Sequence, residues 1–198
     1  SIIERAINLL IDYSIKEISI NVHYLPEQIE TYINKKNFDA KIYISNEKDL
    51  LLDTGGGVKE ATAQFKNSPF FVINPDTLWN KKYLDEVKRL EEIFYKNNKP
   101  SLLIVNKKLS LDTSFTGDFN LINEIISKDK ENQFIFTGLH ITSRNFLTIE
   151  KSKVFSMNKI WNDLIKKNDL YGMESKHRFY HLNTFEMYNK ISNLNIID

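Results

Sequence analysis

Asp53-Thr54-Gly55-Gly56-Gly57 places three of the chain's six glycines in a row. Before it lies an alternating apolar stretch, Lys41-Ile42-Tyr43-Ile44-Ser45, and after it a helix-like stretch from Val58 to Phe65. A nearly continuous apolar run, Phe70-Phe71-Val72-Ile73, then ends on Asn74-Pro75-Asp76. Strand, glycine turn, helix and buried strand in that order spell an α/β unit. In a chain so poor in glycine, three together at a strand-to-helix junction predict a backbone that something approaches closely. In α/β proteins that something is often a nucleotide.

The pattern extends in both directions. Apolar spacing predicts a helix over 2–13, a strand over 17–23, a short helix over 26–34 led by Pro26, and a strand over 40–46. Beyond the glycine run come a strand over 69–74, a helix over 82–96 and a strand over 100–106. The strands at 69–74 and 100–106 are nearly all apolar, which suits burial on both faces. The second half reads as strands over 119–126 and 133–142, a helix over 158–167, a strand pair or hairpin over 170–175 and 178–183, and a closing helix over 184–192 capped by Thr184. With no internal repeat and no long linker, residues 1–198 are expected to form a single domain.

Composition narrows the function classes. Lys and Arg total 27 against 26 Asp and Glu, so no electrostatic footprint for nucleic acid exists. No apolar run has the length of a membrane span. The absence of cysteine removes disulfides, thiolate metal sites and cysteine nucleophiles. A cytoplasmic location is the default expectation.

Asp76 stands just past the carboxyl end of a buried strand, where α/β sheets bind ligands. A carboxylate there suits Mg²⁺, which commonly takes one or two carboxylates plus substrate phosphates. Asn-Pro-Asp is also ordinary turn chemistry, and on pattern alone the two readings weigh equally. His181 could serve as a metal ligand or acid/base group, or simply be structural. His23 reads as structural, His140 as structural or sugar-facing, and His177 as a loop residue. Asp118 follows Gly117 and fits a turn. Trp79 and Trp161 read as packing residues.

Taken together, certain stretches resemble a family. Asn21-Val22-His23-Tyr24-Leu25-Pro26-Glu27-Gln28-Ile29, Leu51-Leu52-Asp53-Thr54-Gly55-Gly56-Gly57 and Phe71-Val72-Ile73-Asn74-Pro75-Asp76 are similar to blocks of the sugar-1-phosphate nucleotidyltransferases. Phe136-Thr137-Gly138, Phe155-Ser156-Met157 and Tyr180-His181-Leu182-Asn183-Thr184 continue the likeness in order. The nearest branches are those that uridylylate N-acetylmuramate 1-phosphate or guanylylate mannose 1-phosphate. The resemblance implies a Rossmann-like, glycosyltransferase-A-like three-layer fold with a mixed, mainly parallel sheet. It implies transfer of a nucleotidyl group from UTP or GTP to a sugar 1-phosphate, with Mg²⁺. By position, Gly56 and Gly57 would lie against the nucleotide, Asp76 and His181 at the metal, and Asn74, Asp118 and Gly138 near the substrate.

The chain departs from the family pattern in four ways. Pro75 stiffens the approach to Asp76 and removes an N–H. His181 replaces an expected aspartate and is a poorer Mg²⁺ ligand. Asn183 replaces a motif glycine. No Gly-x-Gly-x-Arg run is present to grip a triphosphate, and the family's first strand is absent. The resulting expectation is impaired or absent turnover by this chain, with a homodimer or a separately encoded N-terminal segment filling the gap. A non-catalytic nucleotide- or sugar-phosphate-binding protein, or a purely structural remnant, is the alternative.

Overall fold

Helical and strand periodicities alternate as far as Asn106, and the structure keeps that alternation. A computed structural model describes residues 1–65 and 68–193. They form α1 (Ile2–Asp12), β1 (Glu17–Val22), α2 (Pro26–Asn34), β2 (Lys41–Asn46), α3 (Asp53–Ala61), β3 (Phe70–Ile73), α4 (Leu84–Asn97) and β4 (Ser101–Asn106). There follow β5 (Asn120–Ile122), β6 (Ile125–Ser127), β7 (Phe134–Thr142), α5 (Arg144–Leu147), α6 (Met157–Ile165), β8 (Tyr171–Ser175) and α7 (Phe185–Asn193).

The strands make two sheets. β1 and β2 pair in parallel, with Glu17 opposite Lys41. The other six strands lie in the order β3-β7-β4-β8-β6-β5. The α/β class stands, and the sheet is mixed, but the expectation of mainly parallel pairing does not hold. β4 is parallel to β8, whereas β7 runs against both β3 and β4. The hairpin β5–β6 and its junction with β8 are antiparallel too. β7 is the longest strand and almost wholly buried, so its apolar run sits inside the sheet and imposes its own direction on both neighbours.

β4 is the axis of the layers. Leu103 faces a cluster with Val87, Leu90 and Phe94 of α4. Leu102 and Ile104 face Trp161 and Leu164 of α6 on the other side. This alternation is the pleat of a strand buried on both faces, each such side chain contributing about 2 kcal/mol.

Two strand expectations change. The stretch 119–126 is not one strand: Asn123 and Glu124 adopt φ of 51° and 65° and close the two-residue turn of the β5–β6 hairpin. Residues 178–183 do not pair with 170–175, because β8 is already engaged by β4 and β6. Instead this segment makes isolated bridges, Phe179 with Ser110 and His181 with Thr77. The closing helix is as expected, with the Thr184 hydroxyl accepting from Met187 N–H at 3.1 Å.

β7 is interrupted where it matters most. Its pairing with β4 jumps from Leu139 opposite Leu103 to Phe136 opposite Ile104, so Thr137 and Gly138 form a bulge. Gly138 has φ of 92°, and a Cβ there would come within 2.9 Å of Asn74 Cβ. Gly138→Ala is therefore expected to cost about 1–3 kcal/mol. A denaturant titration that leaves the unfolding midpoint in place would refute this.

His140 is fully enclosed on β7, with its ring edge-on to Trp161 at 5.3 Å and near Phe136. Neither ring nitrogen has a hydrogen-bond partner, and burial pushes its pKa down to about 3. This is the structural reading. The depressed value means the unfolded chain takes up a proton near pH 6.5 that the folded chain refuses until about pH 3. Stability should thus fall with acidification across that window, by up to about 1.4 kcal/mol per pH unit. His140→Leu should flatten this limb, as read from unfolding free energies between pH 7 and 4.

Candidate functional site

Beyond the carboxyl end of β3, the chain turns through Asn74-Pro75-Asp76 against the β7 bulge. Asn74 N–H donates to Gly138 carbonyl at 2.8 Å, and Asn74 carbonyl accepts from the Trp79 indole at 2.7 Å. The Thr77 hydroxyl donates to Thr137 carbonyl at 2.7 Å, and the Thr137 hydroxyl to Leu103 carbonyl at 2.8 Å. The turn is thereby tied to β7, and β7 to β4. Trp79 is a packing residue, fully buried against Tyr83.

The segment carrying His181 docks on the same turn. Leu78 N–H donates to Tyr180 carbonyl at 2.9 Å, and Leu182 N–H to Asp76 carbonyl at 2.6 Å. His181 Nε2 lies 3.1 Å from Asp76 Oδ2. The imidazole stacks on Phe179 at 5.9 Å and meets the edge of Phe115 at 5.6 Å. Its Nδ1 is buried without a partner. The Asp76 side chain is 42% exposed and that of His181 21%, so the pair is open from the carboxylate side. Nearby, Ser114 hydrogen bonds, with a smaller contribution from His181, hold the Asp112 carboxyl below its usual range.

Four of the predicted residues, Asn74, Asp76, Gly138 and His181, are thus brought to one place. Asp118 has a different task here. Its N–H donates to Phe134 carbonyl at 2.7 Å, and its carboxylate accepts from Phe136 N–H at 2.9 Å, fastening the start of β7.

The glycine run is not a loop. Asp53 takes the positive φ, 62°, and the three glycines lie in the first turns of α3. Close approach is real, but the partner is the chain itself. Gly55 and Gly56 N–H both donate to Phe155 carbonyl, at 2.9 and 3.0 Å. A Cβ on Gly55 would strike the Phe155 ring, and one on Gly56 the Lys153 carbonyl. Met157 N–H in turn donates to the Thr54 hydroxyl at 2.9 Å, so the starts of α3 and α6 are cross-tied.

Gly57 faces a residue that the sequence did not single out. A Cβ there would lie 2.6 Å from Glu47 Oε1. Glu47 is buried, accepting from Asn21 Nδ2 and from Leu52 N–H, both at 3.0 Å. Its carbonyl lies 2.9 Å from His23 Nδ1, the structural role expected of that histidine. Glu47 thus gathers the ends of β1 and β2 and the start of α3. A lone Glu after a strand reads as solvated surface, so only tertiary placement marks it. His177, as expected, is a loop residue, with Nε2 2.9 Å from Lys82 carbonyl.

Asp76 and His181 could hold a divalent cation with one oxygen and one nitrogen donor. No group of three or more metal-ligating side chains occurs among the described residues. None of their helices is long and apolar enough to cross a membrane.

No known family profile matches the chain. Over 190 residues, 92% of this chain and 78% of the relative, it is 24% identical to N-acetylmuramate alpha-1-phosphate uridylyltransferase of Caulobacter vibrioides. Among solved structures, HddC from Yersinia pseudotuberculosis, complexed with GMP-PN, superposes with a TM-score of 0.76 at 22% identity, covering 96% of this chain and 83% of that one. A putative glucose-1-phosphate thymidylyltransferase from Bacillus anthracis gives 0.77 at 15% identity, covering 98% and 81%. Similarity along nearly the whole chain and a shared fold bear out the resemblance read from the motifs: this chain is similar in sequence to a sugar-1-phosphate nucleotidyltransferase and shares the fold of others.

Proposed function

We propose that residues 1–198 are one cytoplasmic nucleotidyltransferase domain that joins a nucleoside triphosphate, UTP or GTP, to a sugar 1-phosphate. The observation that carries this reading is the convergence of Asn74, Asp76, Gly138 and His181 at the carboxyl end of β3. It is supported by the uridylyltransferase relative and by folds solved with nucleotide and nucleotide-sugar ligands.

In this reaction a phosphate oxygen of the sugar 1-phosphate attacks the α-phosphorus of the triphosphate. The new P–O bond forms as the bond to pyrophosphate breaks. The protein's work is alignment and charge. Gly138, lacking a side chain, lets the Asn74 side chain pack on the bulge, from where it would meet the substrate. Gly56 and Gly57 pack on Lys153 and Glu47 of the chain itself, so they would serve the nucleotide only indirectly, by setting where α3 begins, and Asp118 fixes the strand that carries Gly138. A divalent cation held by Asp76 and His181 would neutralise phosphate charge.

The donor set bears on which cation. Mg²⁺ demands oxygen ligands and octahedral geometry, whereas Mn²⁺, also oxygen-seeking, accepts an imidazole beside a carboxylate more readily. His181 also lies within hydrogen-bonding distance of Asp76, so a cation must displace that contact. The site therefore accommodates Mg²⁺ through Asp76 and favours Mn²⁺ through the pair. Binding of nucleotide without turnover is a second reading, favoured by this same mutual engagement of Asp76 and His181.

Pyrophosphate release with UTP or GTP, a sugar 1-phosphate and Mn²⁺ or Mg²⁺ tests the reading. Asp76→Ala should lower the rate at least about 100-fold; an unchanged rate would remove Asp76 from the site. His181→Asp should shift preference from Mn²⁺ towards Mg²⁺. Direct Mn²⁺ binding followed by electron paramagnetic resonance reads this independently of turnover, and equal Mn²⁺ affinity in both proteins would count against it.

A further inference from the structure

Glu47 is a buried carboxylate to which nucleotidyl transfer has so far given no role. It stands one residue past β2, at the carboxyl end of the parallel β1–β2 pair, where α/β sheets receive ligands. Its Oε1 accepts from Asn21 Nδ2 and its Oε2 from Leu52 N–H, each at 3.0 Å. Among the described residues both donors are neutral. A buried carboxylate met by neutral donors is a costly way to hold a turn, which an apolar side chain could pack at less expense. What the two hydrogen bonds add is direction.

The turn that follows depends on this side chain. Lys48, Asp49, Leu50 and Leu51 are exposed and gain no support from the core. Leu50 N–H donates to Glu47 carbonyl at 3.2 Å and Leu52 N–H to its carboxylate, so the turn folds back on one residue. Glu47 N–H donates to Val22 carbonyl at 2.7 Å, which fastens that residue to β1. Directly after Leu52 come Asp53, in the left-handed region, and Thr54, both exposed at the start of α3. One turn further on, α3 passes the carboxylate at Gly57. A Cβ there would lie 2.6 Å from Glu47 Oε1 and 3.0 Å from Asn21 Nδ2, so this glycine makes room for the Glu47 side chain.

We propose that Glu47 is a positioning residue for the nucleotide. Its carboxylate, seated in the space that Gly57 leaves, sets where the turn 48–52 delivers Asp53 and Thr54 to the edge of the site. Glu47 itself meets no substrate and acts through Leu52 and Asn21. The inference rests on the nucleotidyl-transfer reading and adds to it the residue that fixes the nucleotide half of the site, as the Thr137–Gly138 bulge fixes the Asp76 half. It also separates shape from charge. A glutamine has the same reach: its oxygen can accept from Leu52 N–H, and its amide can donate to Asn21 once the Asn21 amide turns over to present Oδ1. An alanine can do neither.

Dissociation constants of UTP and GTP, measured by calorimetry with Mn²⁺ on the unaltered protein and its variants, test this. Glu47→Ala should weaken binding of the preferred nucleotide at least about tenfold, and Glu47→Gln less than about threefold. Gly57→Ala should match Glu47→Ala, because the added Cβ displaces the carboxylate. When Glu47→Ala is already present, adding Gly57→Ala should weaken binding by less than about twofold, since the Cβ then has room. If Glu47→Ala does not fold, Glu47→Asp, which withdraws the carboxylate by one methylene, replaces it in both comparisons. Equal nucleotide affinity in all variants, whatever their stability, would make Glu47 a structural residue, overturning the proposal and leaving the nucleotidyl-transfer reading in place. Fully additive losses in the double variant, or as large a loss in Glu47→Gln as in Glu47→Ala, would overturn the proposal in the same way. No binding of either nucleotide by the unaltered protein would overturn that reading and this inference together.

Discussion

The bulge at Thr137–Gly138 is the constraint on which the site depends. β7 must satisfy β3 on one side and β4 on the other, and the two pairings are out of step by the inserted residues. The extra backbone is turned outward, where it accepts the Asn74 N–H and the Thr77 hydroxyl. Only a residue without a Cβ takes this conformation with Asn74 packed on it. The fully buried β4 anchors the bulge from beneath through the Thr137 hydroxyl. The position of Asp76 is thus set by the core rather than by the loop that bears it.

A second constraint acts at the glycine run. Three side chains are missing where the start of α3 meets segment 153–155, and the space is used for backbone-to-backbone contact. The cross-tie brings two helix N-termini together, each supplying acceptors for the other's free N–H groups. Gly57 is different, since its neighbours are the side chains of Glu47 and Asn21 at the ends of β1 and β2.

Local signals made most elements legible. Periodicity located α1, β1, α2, β4 and α6 closely, and Thr184 marked the last helix by its cap. What stayed illegible was non-local. Nothing near Phe134–Thr142 says that it inserts between β3 and β4, and so the sheet read as mainly parallel. Asn123-Glu124 is a weak turn signal because Glu rarely takes positive φ. The close packing of glycines was legible, but not that Phe155 and Lys153 supply it. Asp76 and His181 were picked out by position and residue type, Asn74 and Gly138 through family likeness, and only the fold joins them. Glu47 was missed because its burial arises from contacts with Asn21 and Leu52, which no local pattern encodes.

The candidate site straddles a division in the fold. Gly57, Glu47 and Asn21 belong to the β1–β2 unit, whereas Asn74, Asp76, Gly138 and His181 ride on the six-stranded sheet. No ladder hydrogen bonds cross from one sheet to the other among the described residues. The two are joined by side-chain packing of α1 and α3, which is non-directional and tolerates small sliding, unlike a strand ladder with fixed register. A reaction that needs two phosphates in line is sensitive to displacements near 1 Å. Geometry within the Asp76 cluster is fixed by short hydrogen bonds, so the weak coordinate is the distance between that cluster and the glycine helix.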